Sequence, residues 1–145
     1  MIKEIFIGAD HAGVAFKEKL KKYLETKGYA VVDVGSHEGE KSVDYPNFGH
    51  ALCAQVLAEK SMGILICGSG IGMSIVANRY PGIRAALCWN PRVTQSSRAH
   101  NDANVLVLGE RLISYRMAKA CVDTFLNTSF EGGRHARRIS KIERL

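Results

Sequence analysis

No Cys-x-x-Cys pair occurs in this 145-residue chain, and its four cysteines, Cys53, Cys67, Cys88 and Cys121, stand at least 14 positions apart. That spacing suits neither a zinc site nor a dithiol redox pair. Proline is scarce, at three residues, and 46% of the chain is hydrophobic, which is not the composition of a disordered arm. No apolar run approaches the ~20 residues that span a bilayer. Residues 1–7 hold an acid inside their apolar run and lack a small-residue cleavage site, unlike a secretory signal. A cytoplasmic protein without membrane contact is the expectation, and disulfides are not expected there. Its length suits one domain, 1–145, with a core of useful size.

Aromatic residues are few, at 8%, and this bears on the charge. The formal net charge is +6, and half of it is local: from Glu131 onward Arg134, Arg137, Arg138, Lys141 and Arg144 face only Glu131 and Glu143, a net +3. Surfaces that bind single-stranded nucleic acid interleave aromatics with basic residues, and no Phe, Tyr or Trp lies in this stretch. No nucleic-acid partner is expected; a small anionic substrate or a partner surface accounts for the charge as well. Spacings of three and four put Arg134, Arg137, Arg138 and Lys141 on one face of a tail helix within 130–145. Such a face is either solvated or a phosphate clamp, for which arginine's fork is suited.

What is present centres on Ile64, Leu65, Ile66, Cys67, Gly68, Ser69, Gly70, Ile71, Gly72 and Met73, an apolar run leading into three alternating glycines. The run reads as a buried parallel strand, and the glycines as a turn whose amides can converge on an anion, ahead of a helix over 73–79. A dinucleotide fingerprint would need glycine at Met73, the first βα turn instead of the third, and an acid about 20 residues on, where 88–95 has none. No lysine follows a glycine as in a P-loop. A nest for a small oxyanion and a plain tight turn both remain.

Further strands are predicted at 5–8, 30–34, 63–67, 83–88 and 105–108, with helices between them. Phe16, Leu20, Tyr23 and Leu24 share one face, with lysines opposite and Gly28 closing the helix; Phe48, Leu52, Val56 and Leu57 stripe the next. A helix over 92–99 and a long one through Met117, Cys121, Phe125 and Leu126 complete the pattern. The repeated βα unit predicts an α/β fold: a three-layer sandwich with a five-stranded parallel sheet and helices on both faces. Asp10 and His11 follow strand one, Cys67 strand three, Glu110 and Arg111 strand five, while His100 and Asn101 precede strand five. The sheet is expected to gather several of these at one rim. Cys67 there reads as a nucleophile or base, or else as a buried small hydrophobe like the other three cysteines. Asp10 with His11 suits an N-cap equally, and His100 with Asn101 a helix C-terminus.

Taken together, the segments Gly8–Gly13 (Gly8, Ala9, Asp10, His11, Ala12, Gly13), Asp44–Tyr45–Pro46, Cys67 to Gly72, His100 to Asn104, Gly109–Glu110–Arg111 and Gly132 to Arg138 resemble the type B ribose-5-phosphate isomerases, grouped with the galactose-6-phosphate isomerase subunits. The resemblance spans nearly the whole chain, with Ser69 where threonine is common. It implies a Rossmann-like domain acting in the pentose phosphate pathway, which interconverts ribose 5-phosphate and ribulose 5-phosphate through a cis-enediolate without metal or cofactor. Allose 6-phosphate or galactose 6-phosphate as substrate, or a non-catalytic phosphosugar-binding module, are the alternatives. Cys67 would match the base; relatives lacking it use a glutamate in the following helix, and Met73, Ser74 and Ile75 supply no acid. His100 would match the acid that opens the furanose, with Asp10 assisting. His11, Arg111, Arg134 and Arg138 would bind phosphate, Asn101 a sugar hydroxyl, and Tyr45, Gly68, Ser69, Gly70, Ile71 and Gly72 would line the substrate. The resemblance further implies a homodimer, or a dimer of such dimers, with tail arginines reaching the neighbour's site.

Overall fold

The computed structural model describes residues 4–143, so the first three residues of the N-terminal run and Arg144 of the tail lie outside the described residues. Five strands form one sheet: β1 (Glu4–Ala9), β2 (Ala30–Asp33), β3 (Met62–Cys67), β4 (Ala85–Leu87) and β5 (Val105–Gly109). Their order is β2-β1-β3-β5-β4 and every pairing is parallel. The crossovers that parallel strands require are α1 (Val14–Thr26), α2 (Tyr45–Glu59), α3 (Ile71–Ala77) and α4 (Pro91–Asn101); α5 (Tyr115–Asn127) and α6 (Arg134–Ile139) follow β5. None of these helices is long and apolar enough to cross a membrane.

Strand side chains alternate between two cores, as the period of two demands. Ile5, Ile7, Ile64 and Ile66 pack with Phe16, Leu20 and Leu24 of α1 and Cys121 and Phe125 of α5. Phe6, Leu65, Val105 and Val107 face the other way, onto Leu52 and Val56 of α2 and Met73 and Ala77 of α3. The expected sandwich is therefore the one observed. From β1 the chain steps outward to β2, then returns to β3 on the other side. The carboxyl ends of β1 and β3 thus mark the point where the winding reverses, the place where open sheets keep their ligand crevice.

Local departures have local causes. β4 is shorter than the predicted 83–88, because Ile83 donates its N–H into a turn at Tyr80 and the Arg84 N–H is taken by Asn104 Oδ1 at 2.8 Å. α3 covers Ile71–Ala77 and not 73–79: Gly70, at φ 80°, completes the turn directly before it, and Asn78 leaves the helix to exchange two hydrogen bonds with Ala85 at 2.9 Å. α6 ends at Ile139, so Lys141 lies beyond the helix that the arginine spacing predicted.

Lysine was expected on the outer face of α1, yet Lys17 is fully buried, its Nζ 2.5 Å from Asp33 Oδ2 and 2.9 Å from Glu18 Oε1. Burial pushes the Asp33 carboxyl up, but the Lys17 hydrogen bond, the Gly35 N–H and the Lys17 charge outweigh it and hold the group below its ordinary value. A folded-state pKa lowered in this way stabilises the protein above the ordinary carboxylate value of about 3.9, and the gain is lost as pH falls through the lowered value. Lys17→Met leaves the buried Asp33 carboxylate only the more distant Lys21 ammonium, 3.4 Å away, and is expected to cost about 3 kcal/mol at neutral pH, the lower end of what removing one partner of a buried pair costs. Urea unfolding measures this, and a variant as stable as the parent would contradict it.

Candidate active site

β3 delivers Cys67 to the carboxyl rim of the sheet, where the chain turns through Gly68, Ser69 and Gly70. The Gly70 N–H points back to donate to Cys67 Sγ at 3.1 Å. Only glycine suits position 70, since its φ is 80° and a Cβ there would stand 3.2 Å from the Leu108 carbonyl carbon. One amide is therefore fixed where a negatively charged sulfur would accept a hydrogen bond. The other cysteines are core thiols: burial pushes Cys53 up to about 11 and raises Cys88 and Cys121 as well.

Asp10 arrives from β1. Its N–H donates to Ile66 O at 3.2 Å, and its Oδ1 accepts from Ala12 N at 2.9 Å, capping the short 3-10 turn His11–Gly13. The capping role is thus real, and Oδ2 takes no hydrogen bond from the described residues. His11 Nδ1 accepts the Val43 N–H at 3.2 Å, which puts the ring proton on Nε2 as a free donor. Arg111 arrives from β5: its N–H donates to Gly68 O at 3.0 Å, and its guanidinium lies over Gly68, with Nη1 3.2 Å from where a Cβ would stand. The Tyr45 ring covers Gly72 in the same manner, at 2.7 Å. Ser69 Oγ accepts from Ile71 N at 3.2 Å and steadies the turn into α3.

Two contributors had no role in the sequence reading. Glu110 Oε2 accepts the Phe16 N–H at 3.1 Å, capping α1, whose own N-cap Gly13 offers no side chain. The Glu110 N–H also donates to Cys67 O at 2.9 Å, so one residue ties the end of β5, the thiol strand and the start of α1 together. Its carboxyl is pushed up by burial, with the Phe16 N–H working in the opposite direction. The only sequence signal was its place between Gly109 and Arg111. His135 is the second, and it belongs to a different part of the molecule.

His100 and Asn101 are the last two residues of α4, not a loop after it, and Asp102 takes the left-handed cap with φ 45°. α4 starts beyond the carboxyl end of β4 and runs back against the strands for 11 residues, about 16 Å. Its end is therefore at the amino edge of the sheet. There Arg84 Nε donates to Asn101 O at 2.9 Å, and Asn104 O accepts from Gly63, four residues before Cys67 and about 13 Å away along the strand. The tail joins this end: the Glu131 N–H donates to Ala99 O at 3.0 Å, and His135 of α6 stacks on His100 at 4.5 Å. Arg134 and Arg138 stand exposed beside it. Asp10, His11, Cys67, the Gly68–Gly72 loop, Glu110 and Arg111 thus share one rim, as expected of several of these residues, and Tyr45 joins them; His100 and Asn101 stand at the opposite edge, because a parallel βα unit returns its helix there.

A sequence model described as Ribose/Galactose Isomerase matches residues 5–142. The chain belongs to that family. Ribose-5-phosphate isomerase B of Escherichia coli is 42% identical over 142 residues, covering 97% of this chain and 95% of that protein. The crystal structure of a ribose 5-phosphate isomerase from Thermotoga maritima is 50% identical, with a TM-score of 0.95 over 98% of each chain. Ribose-5-phosphate isomerase B from Mycoplasma genitalium, with bound ribulose-5-phosphate, is 40% identical with a TM-score of 0.94, covering 97% of this chain and 94% of that one. As a ribose/galactose isomerase the chain is an enzyme, and the thiol end of its sheet is flanked by apolar side chains left in solvent. Ile71, Ile75, Trp89 and Leu112 are 53% to 68% exposed, and three of them line a cavity of about 340 Å³ with Ser69 and Gly109. Exposed apolar groups gathered this closely mark an interaction surface or a ligand-binding groove.

Proposed function

We propose that this isomerase interconverts ribose 5-phosphate and ribulose 5-phosphate at sites shared between two copies of the chain. The observation that carries the reading is the division of the expected residues between opposite edges of one sheet, each half incomplete and the thiol half bordered by exposed apolar side chains. A homodimer that sets one copy's α4 and α6 ends against the other's glycine loop brings the halves together, and makes the tail 130–145 the arm that reaches the partner.

In such a site the partner's His100 protonates the ring oxygen and opens the furanose, with Asp10 on the adjoining hydroxyl. Cys67 as thiolate then takes the C2 proton of the open aldose, and charge gathers on O1. Fixed amides of the Gly68–Gly72 loop stabilise that oxyanion; one such donor is worth about 3 kcal/mol in comparable sites. Return of the proton to C1, with the O2 hydroxyl proton moving to O1, leaves the ketose. His11 and Arg111 hold the phosphate together with the partner's Arg134 and the partner's Arg138, and the partner's Asn101 contacts a hydroxyl.

Protons and electrons balance within the sugar, so the reaction as written needs neither metal nor cofactor. Protein treated with EDTA and then dialysed is expected to retain full turnover of ribose 5-phosphate, followed as ribulose 5-phosphate formed. Allose 6-phosphate and galactose 6-phosphate assayed alongside should be poorer substrates. Activity lost to the chelator and restored by a divalent ion would overturn the metal-free reaction, and preference for a six-carbon sugar would move the substrate.

A further inference from the structure

Two clusters of ligand-type side chains lie among the described residues, and they differ in one respect. Glu18, Asp33 and His37 surround a position already held by the Lys17 ammonium, which satisfies the carboxylates and repels another cation. His100, Glu131 and His135 hold no such group. Their rings are stacked with 13° between planes, and both Nε2 atoms face Glu131 Oε2, at 3.9 Å from His100 and 3.6 Å from His135. With the ring protons on Nδ1, the two Nε2 lone pairs run side by side past one carboxylate oxygen, and a turn of the exposed His100 ring about its χ2 brings both onto a common point beside it. A tetrahedral zinc ion with bonds of about 2.0–2.1 Å needs its ligands about 3.3 Å apart. The observed separations exceed that by only a few tenths of an ångström at the carboxylate, and all three ligand atoms lie within 4.8 Å of one another.

We propose that His100, Glu131 and His135 bind a divalent transition ion of the zinc class, and that its binding inhibits the isomerase. Two imidazoles and one carboxylate are the ligand set of open zinc sites, with the fourth position left to water. Nitrogen donors select zinc, cobalt, nickel or copper over magnesium and calcium, which prefer oxygen. The His135 ring is anchored by burial against α4, while His100 and Glu131 are 45% and 59% exposed, so the ion has a way in. The inhibitory half rests on the function proposed above: a metal on His100 Nε2 occupies the atom that would give its proton to the ring oxygen.

The test uses the full-length protein stripped of metal. Cobalt(II) is expected to bind once per chain, giving ligand-field absorption without the intense charge-transfer band of a thiolate. Glu131→Gln changes an exposed residue outside the catalytic set. It should keep the metal-free activity and weaken cobalt and zinc binding at least ~10-fold, the loss commonly seen when a metal site is disturbed. Zinc should inhibit the parent reversibly, EDTA should relieve it, magnesium should have no effect, and the inhibitory concentration should rise in Glu131→Gln and in His135→Gln. A thiolate band, or affinity unchanged in both variants, overturns the site. Binding as expected with no loss of turnover overturns the inhibition. The absorption arm needs no substrate, so it decides the site even if ribose 5-phosphate is not turned over.

Discussion

Replacing Cys67 with serine is expected to lower kcat at least ~100-fold, the contribution general-base catalysis commonly makes. The serine hydroxyl fits where the thiol stood and can still accept the Gly70 N–H, so folding and substrate binding should survive. What is lost is ionisation: a thiol is a few per cent thiolate near neutral pH, whereas an alkyl hydroxyl is hardly ionised at all. Cys53, Cys88 and Cys121 serve as controls, because they are buried in the two cores and their raised pKa values keep them as thiols. Their serine variants should remain close to fully active, and iodoacetamide should modify Cys67 before any of them, with substrate or inorganic phosphate protecting it. A Cys67→Ser enzyme with more than a tenth of the parent kcat would mean that another group carries the proton.

Mixing two inactive proteins should restore activity. Cys67→Ser damages the carboxyl edge of the sheet and His100→Asn the amino edge, so a mixed dimer holds one site with both faults and one with neither. With free exchange of equal amounts, half the dimers are mixed, and about a quarter of the parent activity should return, as two-fold symmetry requires. Arg134→Ala in place of His100→Asn should complement Cys67→Ser in the same way, since Arg134 lies at the same edge. Were each site built within one chain, no mixture would recover anything. Exchange followed by mass spectrometry, with activity measured in parallel, separates these outcomes.

Much of this architecture was legible because it rests on short-range pattern. The apolar runs before Asp10, Gly68 and Glu110 fixed three strands and the residues at their ends, and the Gly68–Gly72 spacing fixed the turn that aims an amide at Cys67. Other features depend on partners distant in sequence, which no periodicity reports. Lys17 occupies a helical position that reads as solvent-facing until Asp33 folds over it, and Glu110 reaches Phe16 across 94 residues. The edge on which His100 sits follows from the direction of α4. That direction could have been deduced from the βα repeat, since a helix between parallel strands runs antiparallel to them.

Under the proposed shared site, the reversal of α4 also makes protein concentration a variable of catalysis. In that arrangement a chain that carries Cys67 and His100 at opposite edges is inert by itself, however well folded. Once the protein is diluted below the dissociation constant of the pair, the rate falls with the square of total chain instead of in proportion to it. Synthesis of the enzyme then acts as a threshold, with turnover beginning only when copies are numerous enough to meet.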